Sequence, residues 1–169
     1  MWHRLIVTLF SGIFSFTVWA SPDQTTLSVW ANEAIIATYT YNHDNFLARQ
    51  TEIAKYFTAE GWIAYSNALN ASKLPETIKA NAYSVSSVAT LPPVITRVDK
   101  HQWQAVMPIL VLYKNPQYQQ KQSLQVSIRI LELPPDQGIR GLGIASLQSS
   151  VIEPPCVCQG SAAGSPNPQ

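Results

Sequence analysis

The chain has 169 residues, with eleven Lys and Arg against ten Asp and Glu, a formal charge of +1. So even a balance, with no run of basic residues, excludes nucleic-acid binding driven by phosphate neutralisation, which needs clustered Lys and Arg. Hydrophobic residues make up 46% of the chain, enough for one domain of about 100 to 150 residues to bury roughly two-thirds of its unfolded surface without staples.

Residues Met1 to Ala20 carry one basic residue, Arg4, and then an apolar run from Leu5 to Val18. The run is shorter than the ~20 residues of a spanning helix and closes on Val18, Trp19 and Ala20, with small residues where a signal peptidase cuts. Residues 1–20 therefore read as a signal peptide cleaved between Ala20 and Ser21. An uncleaved anchor is the competing reading, weakened by Ser11, Gly12 and Ser15. No cysteine follows Ala20, which argues against a lipoprotein. Loss of Arg4 takes the eleven basic residues to ten, level with the ten acidic ones.

Residues 21–26 form a polar leader to a domain spanning 27–152, and Thr25 or Thr26 can cap a helix with apolar positions Leu27, Trp30, Ala31, Ala34 and Ile35, ending near Tyr41. Asn42, His43, Asp44 and Asn45 break it, because short polar side chains compete for the helical backbone. A second helix with Phe46, Leu47, Ile53, Ala54 and Phe57 on one face ends near Phe57. Thr58 caps a third helix that carries Trp62, Ile63, Tyr65 and Leu69 despite Gly61, and Ser72 with Pro75 marks one more helical turn. The aromatic residues Trp30, Tyr39, Phe46, Phe57, Trp62 and Tyr65 recur at helical spacing, which predicts core.

From Ala82 the period changes to alternation, with Tyr83, Val85, Ser87 and Ala89 facing one way. Pro92 and Pro93 interrupt this strand, and Val94 to Asp99 resumes in extended form outside any central ladder. Trp103 to Tyr113 is apolar on both faces, which places it centrally and leaves a face for a partner, and Pro108 demands a bulge or an unpaired position. The connection Lys114 to Gln120 leads to a strand with Leu124, Val126, Ile128 and Ile130 inward. The turn Pro134 to Gly138 precedes a last strand from Ile139 to Leu147, and residues 153–169 read as a disordered tail. Helices first and strands after give an α+β class, with N-terminal helices packed on one curved antiparallel sheet of about four strands.

The run Trp30 to Ile78, together with VMPILVLYKNPQYQQKQSL from Val106 to Leu124, resembles the DotI/IcmL family of type IVB secretion systems, over about Trp30 to Gln148. That resemblance implies a periplasmic domain of nuclear-transport-factor-like, cystatin-like fold, similar to the scaffold subunit of VirB-type systems. It implies partners among other secretion subunits, including a second copy or a membrane-anchored family member. The family pattern places a cytoplasmic segment and a long membrane helix ahead of the domain. This sequence shows neither, so the expectation is a soluble periplasmic paralogue, joined to the membrane only through partners or an uncleaved signal.

No residue pattern calls for catalysis, a cofactor or a metal. His43 beside Asp44 could form a general-base pair, and Asp99 near His101 another, but both read more simply as exposed turns. Gly138, Gly141 and Gly143 lack the strand-to-helix context of a phosphate loop, and a twisted or bulged strand explains them better. The uncharged amides Gln117, Gln119, Gln120 and Gln122 form either a solvated hairpin or a polar contact surface for a neighbouring subunit. Cys156 and Cys158 are too close in sequence for an easy bridge, leaving a free pair, an intermolecular disulfide, a soft-metal site or incidental residues. The function expected is a non-catalytic scaffold acting by subunit contacts. The alternative is a periplasmic small-ligand binding protein or hydrolase using the pocket between helices and sheet.

Overall fold

A computed structural model describes residues 21–153. The cleavage expectation at Ala20 and the cysteines Cys156 and Cys158 lie outside the described residues.

Helix α1 (Gln24–Thr38) buries Leu27, Trp30, Ala31, Ala34 and Ile35, one face of the helix at the expected spacing. Its cap is Asp23 rather than Thr25 or Thr26. The Asp23 carboxylate accepts from the Thr26 N–H, which holds its pKa below the usual carboxylate value, and the helix starts inside the stretch read as a polar leader. Helix α1 also stops earlier than Tyr41, because Tyr41–Asn42 forms a short strand β1 against Ser84 and Val85.

The Asn42 side chain accepts from the N–H groups of Asp44 and Asn45, making the polar break an Asx turn that leads into α2 (Phe46–Ala54). Thr58 caps α3 (Ala59–Ala71) by accepting from Gly61 N–H at 3.0 Å, and Pro75 lies in the first turn of α4 (Leu74–Ala80).

The sheet contains β2 (Ser84–Ala89), β3 (Val94–Asp99), β4 (Gln102–Lys114), β5 (Gln119–Glu132) and β6 (Leu142–Val151). Its order is β1-β2-β4-β5-β6, all antiparallel, with β3 pairing the other half of β4's edge. The four strands expected correspond to β2, β4, β5 and β6, and β1 and β3 extend the same sheet. Pro108 needs no bulge. Its carbonyl accepts from Thr90 N–H at 3.0 Å, so its missing N–H faces the gap where Pro92 and Pro93 separate β2 from β3.

The inward residues of β4 (Trp103, Ala105, Met107, Ile109, Val111) and of β5 (Leu124, Val126, Ile128, Ile130) are all buried, and the helices close over them. Trp30 and Phe57 join this core, while Tyr39, Phe46, Trp62 and Tyr65 are partly buried against it.

Further boundaries differ from the sequence reading, and α2 stops at Ala54 rather than near Phe57. The connection before β5 is shorter than Lys114 to Gln120, because Asn115 turns the chain by accepting from the N–H groups of Gln117 and Tyr118. The last strand begins at Leu142 rather than Ile139, since Gly138, Arg140 and Gly141 have φ of 62°, 59° and 68° and cannot lie in a strand. The bulge expected near the glycines falls at Ala145, between the pairs Arg129 with Ser146 and Ile130 with Ile144.

Candidate interaction surface and cavity

The two pairs considered for acid–base chemistry lie on the surface. His43 Nε2 is 3.2 Å from Asp44 Oδ1 in the Asx turn, beside exposed Leu47. Asp99 does not pair with His101. Its carboxylate accepts from Lys100 N–H at 2.7 Å, whereas His101 Nδ1, in the β3–β4 turn, meets Glu132 Oε2 at the end of β5 at 2.7 Å. Residues 101 and 132 are neighbours only because β4 and β5 run side by side, which no local sequence signal reveals. Among the described residues no group of three or more His, Cys, Asp or Glu could hold a metal ion, and no helix is long and apolar enough to cross a membrane.

The glutamines divide between the two faces of the sheet. Inward residues of β5 are even-numbered, so Gln120 and Gln122 turn toward the helix side, opposite Tyr113 and Val111. Gln119 turns outward with Lys121, and Gln117 sits in the turn. The four amides are thus divided between the two faces and the turn.

The outer face of the sheet supplies a more continuous one. Val88 lies opposite Leu110 and Val94 opposite Val106, with Pro108 between the two pairs. Val88 and Val94 are 56% and 66% exposed, and Val106, Pro108 and Leu110 are half-buried. Beside this strip, Gln125 and Ser127 of β5 and Gln148 and Ser150 of β6 form an uncharged polar apron. The both-faces-apolar character of β4 thus has one face in the core and one on the surface.

On the inner side, a cavity of about 600 Å³ opens between the end of α1, helix α3 and the concave face of the sheet. Tyr39, Tyr41, Tyr65 and Tyr113 line it, with Gln122, and among the described residues none of its lining side chains is acidic, basic or imidazole. Burial raises all four phenols above the ordinary tyrosine value, because a phenolate there would lose its hydration. Outside the cavity, Tyr56 is pushed up to about 12 by burial and by the hydrogen bond it donates to Glu33 at 2.8 Å. Glu33 also pairs with Arg140 at 3.2 Å, and Trp30 Nε1 donates to the Ile139 carbonyl at 2.8 Å, so α1 holds the loop before β6.

The protein family described as "Type-IV b secretion system, inner-membrane complex component" matches residues 15–150. Among solved structures, the chain is 58% identical to an IcmL-like type IV secretion system protein from Legionella pneumophila, with a TM-score of 0.78 over 82% of this chain and 100% of that one. It is 32% identical to the periplasmic domain of DotI, with a TM-score of 0.73 over 76% of this chain and 96% of that one. A nuclear transport factor 2-like superfamily protein from Salmonella enterica, 14% identical, matches with a TM-score of 0.54 over 82% and 99% of the two chains, a likeness of fold alone. No curated protein matches the chain.

Proposed function

Because the chain belongs to the DotI/IcmL family of type IVB secretion inner-membrane complex components, we propose that it is a non-catalytic periplasmic scaffold that works by contacts with other secretion subunits. It reaches the periplasm by cleavage between Ala20 and Ser21, so sequencing the exported protein should return a chain starting at Ser21.

The observation that carries the reading is the outer apolar strip of Val88, Val94, Val106 and Leu110. Val106 to Leu110 spans roughly 13 Å along β4, and with the β2 and β3 residues beside it the strip covers on the order of 100 Å². A stable contact buries about 800 Å² per partner. The strip then serves as the apolar centre, and the Gln125, Ser127, Gln148 and Ser150 apron as the rim.

Lysine at both Val88 and Val94 tests this without touching the core, since both side chains are exposed. The expected result is loss of co-purification with secretion subunits from a protein whose thermal unfolding is unchanged. Retained co-purification would refute the outer face as the contact.

The second reading is a small-ligand binding protein or hydrolase that uses the pocket between helices and sheet. The tyrosine-lined cavity favours its binding form. A hydrolase would require a general base from outside this lining, because the described residues around the cavity offer hydroxyl and amide groups but no charged or imidazole side chain.

A further inference from the structure

Strand β6 ends the sheet, and among the described residues its outer edge is closed at one place only. There Ile144 N–H donates to the Tyr56 carbonyl at 2.8 Å, and its own carbonyl accepts from Thr58 N–H at 3.0 Å. Past the bulge at Ala145 the pattern changes. Ile152 N–H donates to the Ser123 carbonyl of β5, so in the regular stretch before it Ser150 and Gln148 also turn their backbone toward β5. Leu147, Ser149 and Val151 then turn theirs to the open edge. No backbone hydrogen bond among the described residues reaches these three from that side.

The same three residues line the cavity with their side chains, beside Tyr39 and Tyr65. They pair with inward-facing Ile128, Val126 and Leu124, so they share the concave face, but Val151 is 67% exposed, since none of the described residues covers that end of the sheet. Among the described residues, an unpaired strand edge and a cavity therefore meet along one line. A strand added there would satisfy the free N–H and C=O groups and place every second side chain over the two tyrosines.

We propose that the β6 edge from Leu147 to Val151 takes an extended, uncharged segment of a partner protein as a further strand of the sheet, with alternate side chains seated in the tyrosine-lined cavity. The chemistry of the segment follows from the lining. A charged side chain entering a cavity with no acidic, basic or imidazole group would be stripped of water without a counter-ion. Apolar or hydroxyl-bearing side chains meet phenol faces and serine hydroxyls instead. Three outward-turned residues match a segment of about five residues, roughly 16 Å long. This site is separate from the outer face and stands whether or not that face binds secretion subunits.

The test titrates the purified protein with an acetylated, amidated heptapeptide alternating threonine and valine, followed by amide NMR. A heptapeptide alternating lysine and glutamate, charged on both faces, is the control. The expected result is saturable shifts confined to Leu147, Ser149, Val151 and the neighbouring Tyr39 and Tyr65, slower amide exchange at the three β6 residues, and no response to the charged peptide. Ser149→Pro removes an N–H that no group in the sheet uses and should abolish the response. Ser149→Lys keeps that N–H and adds a charge to the cavity, so it should do the same if the proline variant folds poorly. Absence of shifts, shifts centred elsewhere, or equal binding of the charged peptide would overturn the proposal. So would amides at Leu147, Ser149 and Val151 already protected before peptide is added, since the edge would then be filled by the chain itself.

Discussion

Replacing Gly61 with alanine separates intrinsic helix preference from tertiary packing, because the two predict opposite signs. Gly61 lies in the first turn of α3, where alanine is favoured over glycine by about 1 kcal/mol in an ordinary helix interior. Here a Cβ would stand 2.2 Å from the Ile144 carbonyl oxygen and 3.1 Å from that of Ala145, both backbone atoms of β6 that cannot rotate aside. Ordinary contact begins at 3.4 Å, so the start of α3 must withdraw by about 1 Å (3.4 − 2.2 = 1.2). That withdrawal stretches the 3.0 Å bond from Thr58 N–H to the Ile144 carbonyl beyond bonding range. A lost hydrogen bond contributes about 1 kcal/mol, and overpacking strain about 1 to 3 kcal/mol. Set against the helix gain, Gly61→Ala should destabilise the domain by about 1 to 3 kcal/mol. At about 4 °C per kcal/mol for a domain of this size, Tm falls by roughly 4 to 12 °C. Urea unfolding of the two proteins, analysed with a common m-value, measures it. A variant as stable as the parent, or more stable, would refute the close approach of α3 to β6.

Phe57→Ala should cost about 3 to 5 kcal/mol, since the ring is buried and packs edge-to-face on Trp62 and at a tilt on Tyr65. Trp62→Ala should cost less, because Trp62 is only partly buried; a well-folded variant that loses partner binding alone would mark Trp62 as an interface anchor instead. The raised phenols predict an alkaline transition. Their folded pKa values lie above the ordinary tyrosine value of about 10, so their neutral form favours the folded state below pH 10, and that stability is lost as pH rises through the folded values. Absorbance of tyrosinate should show Tyr39, Tyr41, Tyr65 and Tyr113 ionising only as the protein unfolds, and smooth titration of these four near pH 10 in the folded protein would contradict their burial.

Much of this architecture is legible because its signals are local. Leu27, Trp30, Ala31, Ala34 and Ile35 announce a helix face by spacing alone, and Leu124, Val126, Ile128 and Ile130 a strand face. Thr58 is readable as a cap because a hydroxyl residue stands just before an apolar helical run. What escaped the sequence depends on register or on rare backbone angles. Gln119 and Gln122 look equivalent in a run of amides, yet the alternation of β5 sends them to opposite faces. Arg140 gives no hint of its positive φ, so Ile139 to Gly141 read as strand. Asp99 and His101 stand two residues apart without pairing, while Glu132 reaches His101 from the adjacent strand. The cavity draws Tyr39, Tyr65, Tyr113 and the end of β6 from remote parts of the chain, so no single window could disclose it.

The central claim is that the domain acts through its surface rather than by turnover, and complementation of secretion tests it most directly. Alanine at His43, Asp44, Asp99 and His101 together removes the acid–base pairs considered in the sequence, all of them exposed residues. A strain carrying that protein should secrete as well as one carrying the parent chain, whereas the Val88→Lys, Val94→Lys protein, equally well folded, should fail. Loss of secretion with the four-alanine protein, while its fold and its co-purification with secretion subunits persist, would contradict the scaffold account and favour an enzymatic one.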